Sequence, residues 1–219
     1  MTVLQRALLA AALVAALLPG AAAAVDEAAG QERLGIRAGY VQTKDGLNDA
    51  YGDGWDLTLF FTEKLYSRIL LDVRLGAIYL GETLDPDLNQ KVLDNYGIIL
   101  PLGTIPSMRY LYFSAGPLFG FNVGSSSSGY ISAGIGIYSV SMEFTPGVTT
   151  FDYSDQHIGY NGGLGFSRRI ASNWSLELNG TVHYFGIDEN DNDLYWVFTS
   201  EADAPLLLGV ALGLTVDLR

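Results

Sequence analysis

The sequence has 219 residues, of which 49% are hydrophobic, 12% aromatic and only 16% charged, a composition too apolar for a disordered tail. Twelve basic residues against twenty-four acidic ones give a formal charge of −12, so the electrostatic footprint of a nucleic-acid partner is missing, and the lack of any cysteine excludes disulfides, zinc-thiolate sites and thiol nucleophiles. Twenty-six glycines without a collagen period and thirteen tyrosines favour a β-rich domain over a helical bundle.

Residues 1–24 read as a secretory signal peptide: Arg6 precedes an apolar stretch from Ala7 to Leu18, then a Pro19-Gly20 break and the small-residue end Ala22-Ala23-Ala24. A membrane-anchoring helix would need about twenty apolar residues, more than this stretch supplies. Residues 25–32 are expected to form a short periplasmic segment, and 33–219 a single domain. An exported chain without cysteine, rich in glycine and tyrosine, fits the bacterial outer membrane better than a disulfide-stapled secreted domain.

Along that domain, side chains alternate between two unlike faces, the period of a β-strand. The predicted strands are 33–43, with Leu34, Ile36, Ala38 and Tyr40 on the apolar face; 54–63, with Trp55, Leu57, Leu59 and Phe61; and 69–79, where Ile69, Leu71, Val73, Leu75, Ala77 and Tyr79 oppose Leu70, Asp72, Arg74, Gly76 and Ile78. Next come 109–123, with Leu111, Phe113, Ala115, Phe119 and Phe121 outward, and 129–144, with Ile131, Ala133, Ile135 and Ile137 outward and Ser132, Gly134, Gly136 and Tyr138 inward. The last three are 156–167, 174–186 and the segment from Leu206, whose even positions are all Leu or Val and whose odd positions are mostly small or polar.

The connections alternate in length. Segments 64–68, 124–128 and 168–173 are short, whereas 44–53, 82–108, 145–155 and 187–204 are long, the pattern of a transmembrane β-barrel with short periplasmic turns and long outer loops. Pro117 cannot donate to a ladder, so a bulge or a lost hydrogen bond is expected there. Residues 96–102 could form an additional strand. In a soluble barrel the bulky apolar set would face inward and the polar set water. Here the polar face is poor in Lys and Glu and rich in Gly, Ser, Thr and Asn, which suits a narrow packed lumen. Tyr40, Trp55, Tyr79, Tyr160 and Tyr184 then form an outer aromatic girdle, and Phe61, Phe166 and Trp174 a periplasmic one. The fold class is therefore all-β, an eight-stranded antiparallel transmembrane β-barrel.

Four inner-face charges, Arg37, Asp72, Arg74 and Glu177, lie a few residues above the starts of their strands and are expected to pair in a network that closes the periplasmic half of the lumen, because an unpaired buried charge costs several kcal/mol. The run Asp188-Glu-Asn-Asp-Asn-Asp193 lacks the central glycine and the twelfth-position glutamate of a calcium loop and reads as a solvated acidic loop. With the aspartates of the other long loops it makes the outer mouth acidic, where divalent ions could bridge it to lipopolysaccharide phosphates. His157 and His183 are weak metal candidates: a hairpin pairing Ser167 with Ser175 would set His157 opposite Phe185 and His183 opposite Gly159, diagonal neighbours within reach of one another. No third ligand is fixed by spacing, so no metal and no cofactor is expected.

The strand Tyr130-Ile-Ser-Ala-Gly-Ile-Gly-Ile-Tyr138, the stretch Gly159-Tyr-Asn-Gly-Gly-Leu-Gly-Phe166 and the hairpin into Asn173-Trp-Ser-Leu-Glu-Leu178 resemble the OmpA/OmpX-type outer-membrane β-barrel superfamily across the whole domain. Such barrels usually end in an aromatic residue, whereas this chain ends Leu218-Arg219, and no peptidoglycan-binding domain is expected after the last strand. The resemblance implies a bacterial outer-membrane location, contact with outer-membrane lipids and lipopolysaccharide, and insertion by the barrel assembly machinery; the chain is expected to act as a monomer. Some members of this architecture modify lipids, but His183 has no nearby serine, and Glu177 on the same face lies about 20 Å away at about 3.3 Å per residue. The expected role is non-enzymatic, in envelope integrity or surface-loop contact, with a small pore or a lipid-modifying enzyme as the alternatives.

Overall fold

The computed structural model describes residues 32–44, 51–66, 68–82, 90, 107–144, 151–185 and 206–218. The expected signal peptide, the acidic run 188–193 and the segment 96–102 lie outside the described residues. Eight strands close into one antiparallel barrel in which each pairs with its sequence neighbours and the last with the first. They are β1 (Arg33–Lys44), β2 (Tyr51–Tyr66), β3 (Ile69–Glu82), β4 (Ser107–Gly124), β5 (Ser127–Phe144), β6 (Phe151–Arg169), β7 (Trp174–Phe185) and β8 (Leu206–Asp217). Closure removes every sheet edge, so the backbone groups of each strand find partners within the sheet itself.

The register fixes the barrel's width. From Leu34 the partners run Phe61, Val73, Ala115, Ile135, Tyr160, Tyr184, Leu206 and back to Lys44, a stagger of ten residues along β1. Eight strands at such a stagger leave an interior that side chains can just fill.

The facing follows the sequence period. Leu57, Leu75, Phe113, Ile137 and Leu212 are exposed on the outer wall, while Arg37, Thr58, Asp72, Tyr112, Tyr138 and Glu177 are buried within. On that wall Trp55 stacks on Tyr79 at 5.6 Å between ring centroids, Tyr40 is the register partner of Trp55, and Tyr160 pairs with Tyr184. These residues form the outer aromatic belt.

Pro117 produces no bulge. The β4–β5 register is the same on both sides of it, but the ladder skips from Ala115↔Ile135 to Leu118↔Ser132. The proline therefore removes links without shifting the strand. Register shifts fall instead between Tyr51 and Gly54, between Lys64 and Tyr66, and between Asn122 and Gly124.

The β6–β7 hairpin differs from the sequence expectation by two residues. Ser167 pairs with Glu177 and Arg169 with Ser175, because the Ile170 amide bonds the Trp174 carbonyl at 2.9 Å and makes the turn tighter. A two-residue slip keeps every side chain on its own face, so the hydrophobic pattern is blind to it. His183 consequently lies opposite Asn161, not Gly159, while His157 is the β5-side partner of Tyr138.

Leu212→Arg, on the lipid wall midway along β8, is expected to cost about 2–4 kcal/mol, whereas Thr181→Ser inside the lumen should cost less than about 0.5 kcal/mol. Urea unfolding in phospholipid vesicles measures both, and equal stability of the two variants would reverse the facing.

Candidate functional site: the barrel lumen

Two ion pairs occupy the half of the lumen nearest the short turns. Arg37 Nε donates to Glu177 Oε2 at 3.0 Å, and both side chains are 3% exposed. The pair bridges β1 and β7 across β8, where the residue between them is Gly213, register partner of both. A Cβ on Gly213 would come within 2.7 Å of Arg37 Cγ, so the missing side chain is what lets the guanidinium lie across the strand. The Arg37 guanidinium carbon also sits 3.6 Å from the Phe60 ring centroid, a cation–π contact on its other side.

The Glu177 carboxylate is held by more than arginine. Asn179 Nδ2 donates to the Tyr130 hydroxyl at 2.9 Å, and that hydroxyl donates to Glu177 Oε2 at 3.3 Å. Tyr130 reaches this position by lying over Gly165 of β6, its register partner, where any Cβ would run into the ring.

The second pair starts a longer chain. Arg74 Nε donates to Asp72 Oδ2 at 2.7 Å, Nη2 to Ser132 Oγ at 2.6 Å and Nη1 to Asn161 Oδ1 at 3.3 Å, which carries the contact from β3 to β5 and β6. Asn161 Nδ2 then donates to the Tyr138 hydroxyl at 3.4 Å, which lies 3.0 Å from His183 Nδ1. The direction of that last bond follows the imidazole tautomer, since either the hydroxyl or Nδ1 can supply its proton. The four expected charges thus form two pairs, Arg37 with Glu177 and Asp72 with Arg74, each extended by neutral side chains.

A third acid lies within the barrel. Asp56 is buried on β2 and is held by hydroxyls: Thr58 Oγ1 donates to Oδ2 at 3.0 Å, and the Tyr112 hydroxyl stands 2.7 Å from Thr58 Oγ1. Its sequence signal is a lone acid between Trp55 and Leu57, both on the lipid wall.

Above the ion pairs the lumen becomes apolar. Tyr112 and Tyr138 stack at 5.3 Å, Tyr138 and Phe185 at 5.1 Å, and Tyr110 meets Phe185 at 4.7 Å. Val41, Ile78, Leu80, Met108, Val140 and Leu207 are fully buried at the same end of the barrel. Tyr112 fits because its register partner across β3 is Gly76, whose Cβ would strike the ring. A small cavity of about 30 Å³, large enough to admit water, remains beside Arg37, Thr62, Tyr130 and Glu177 toward the short turns.

The two histidines do not meet. His183 is tied to Tyr138, and His157 Nε2 lies 3.2 Å from Asp155 Oδ2, two residues along the same strand toward the mouth. The diagonal contact expected from the sequence rested on the β6–β7 register that the tighter turn replaces. Among the described residues no group of three His, Cys, Asp or Glu side chains could hold a metal ion.

No family model and no curated protein matches the sequence. Solved structures do resemble the fold. The crystal structure of Neisserial surface protein A (NspA) superposes with a TM-score of 0.57 at 14% identity over 88% of this chain and 100% of that one. A major outer membrane protein from Thermus thermophilus gives 0.53 at 17% identity over 85% and 99%. The fold is the closed antiparallel barrel of small outer-membrane proteins. At such low identity the likeness lies in strand number, closure and size, and this barrel's inner side chains have to be interpreted on their own chemistry.

Removing one partner of the buried pair should cost about 3–5 kcal/mol, so Glu177→Leu is expected to be strongly destabilised, while the double variant Arg37→Met/Glu177→Leu should recover most of the loss. Unfolding midpoints in detergent test this. A second contrast tests the rings: Gly76→Ala, against Tyr112, should cost about 1–3 kcal/mol, and Gly180→Ala, whose Cβ finds nothing nearer than 3.9 Å, should be close to neutral.

Proposed function

We propose that this chain is a non-enzymatic outer-membrane barrel with a closed lumen, which acts through its outer wall and its long loops in envelope integrity or surface contact. The observation that carries the reading is the filling of the interior. An ion crossing the barrel would have to break the Arg37–Glu177 and Asp72–Arg74 pairs and then displace the packed side chains of Tyr110, Tyr138, Phe185 and Leu207. An interior filled by side chains in this way leaves no water-filled path for the ion.

The outer wall suits residence in lipid as a monomer. Its exposed Leu, Ile and Phe side chains form a continuous band, with aromatic residues toward its ends, and such a band is stable only in hydrocarbon. Outer-membrane lipids and lipopolysaccharide are the partners this wall fits, and the barrel assembly machinery is the route by which a closed sheet of this kind enters the membrane.

The test is conductance together with lipid chemistry. The purified protein in planar bilayers is expected to give no reproducible conductance steps, and lipid A mass spectra from a deletion strain are expected to match the parent. Stable single-channel steps would replace this reading with a small pore, and a changed lipid A would replace it with a lipid-modifying enzyme.

A further inference from the structure

The short-turn end of the barrel carries a surface that the closed-lumen reading leaves unused. Five described basic residues gather there, Arg33, Lys64, Arg68, Arg168 and Arg169, against the acids Glu32, Glu63 and Asp217, in a chain whose overall charge is −12. Asp217 is engaged from both sides, by Arg33 at 3.0 Å and Arg169 at 3.4 Å. Lys64 and Arg68, by contrast, are exposed and make no ion pair with the described residues. Between them stand Leu65, 60% exposed, and Tyr66, 75% exposed.

Of the neighbouring turns, β6–β7 repeats the combination and β4–β5 does not. Val123 is exposed beside the β4–β5 turn, and Ile170 and Trp174 are exposed at the β6–β7 turn next to Arg168 and Arg169. Two of the three described turns therefore carry bulky apolar groups together with cations. A turn hanging in water would gain nothing from such tips. A turn lying in the headgroup layer would bury them while its cations met phosphates.

We propose that the short-turn end is a binding surface for anionic phospholipids of the leaflet it faces, with Lys64 and Arg68 taking the headgroup phosphates and Leu65 and Tyr66 entering the acyl boundary. The proposal rests on the reading of the outer wall as membrane-embedded. Lipid is favoured over an acidic cell-wall polymer because a polymer in water would pair with the cations and leave the apolar tips exposed. The preference comes from the compact pairing of charge with grease, since each cation near an anionic membrane surface is worth about 1 kcal/mol.

The absence of cysteine allows single labels to be placed cleanly. Tyr66→Cys and, as a control on the mid-height wall, Leu212→Cys would each carry an environment-sensitive fluorophore in vesicles of phosphatidylcholine and phosphatidylglycerol, with either lipid brominated in turn. The label at 66 is expected to be quenched more by brominated phosphatidylglycerol than by brominated phosphatidylcholine, and Lys64→Gln with Arg68→Gln should reduce that preference by about fivefold per cation. The label at 212 should be quenched alike by both. Quenching at 212 with none at 66, or quenching at 66 without headgroup preference, overturns this inference and leaves the membrane reading intact. No quenching at either position overturns both. Sedimentation of the folded protein with purified peptidoglycan sacculi, lost in the Lys64→Gln/Arg68→Gln variant, would give the surface to the polymer instead.

Discussion

In hydrocarbon an unpaired backbone amide has no water to fall back on, and a sheet can satisfy all of its amides only by closing on itself. That requirement fixes strand number and stagger together, and with them an interior too narrow for bulk water and too wide to leave empty. Each inner side chain is then placed by its neighbours. Tyr130 lies over Gly165, Tyr112 over Gly76, and the Arg37–Glu177 pair passes over Gly213. The glycines are therefore part of the packing, since each supplies the space that a ring or a guanidinium occupies.

The filling is layered because its two halves solve different problems. Near the short turns the charges are paired, and Arg74 and Glu177 take further hydrogen bonds from neutral side chains while Arg37 lies against the Phe60 ring, so the desolvation of these charges is offset by more than the ion pair alone. Toward the other end stacked rings and aliphatic side chains make dispersion contacts, and the polar groups among them, Asp56 and His183, are held by hydroxyls. Asn161 and Tyr138 link the layers, since both can donate and accept, and through them the orientation of the His183 ring depends on Arg74.

The architecture is legible in the sequence because a wall between lipid and a polar interior imposes a strict two-residue period. Leu212 and Gly213, or Val73 and Arg74, announce their faces without any knowledge of the partner strand. The four lumen charges can be found the same way, since each interrupts the small and polar inner pattern. Their partners cannot, because pairing across the lumen depends on register, and registers two residues apart leave the period unchanged. The expected meeting of His157 and His183 fails for that reason. Asp56 is inconspicuous among large lipid-facing neighbours, and the aromatic layer is hidden because the period sets Tyr138 inward without showing which rings of other strands reach it.

The skipped links beside Pro117 have a dynamic consequence. From Ser107 to Ala115 and from Leu118 to Asn122, β4 and β5 are joined by a continuous ladder, so opening a link within either run means working against its neighbours on both sides. At Ala133 and Gly134 that mutual support is interrupted, and the local free energy of opening falls below that of the surrounding wall. Amide protons there should exchange with solvent sooner than those of Ile131 or Ile137, giving the barrel a hinge line along one seam. Ser132, which holds Arg74, sits directly beside it, so the part of the wall most able to breathe is also the part that anchors the second ion pair.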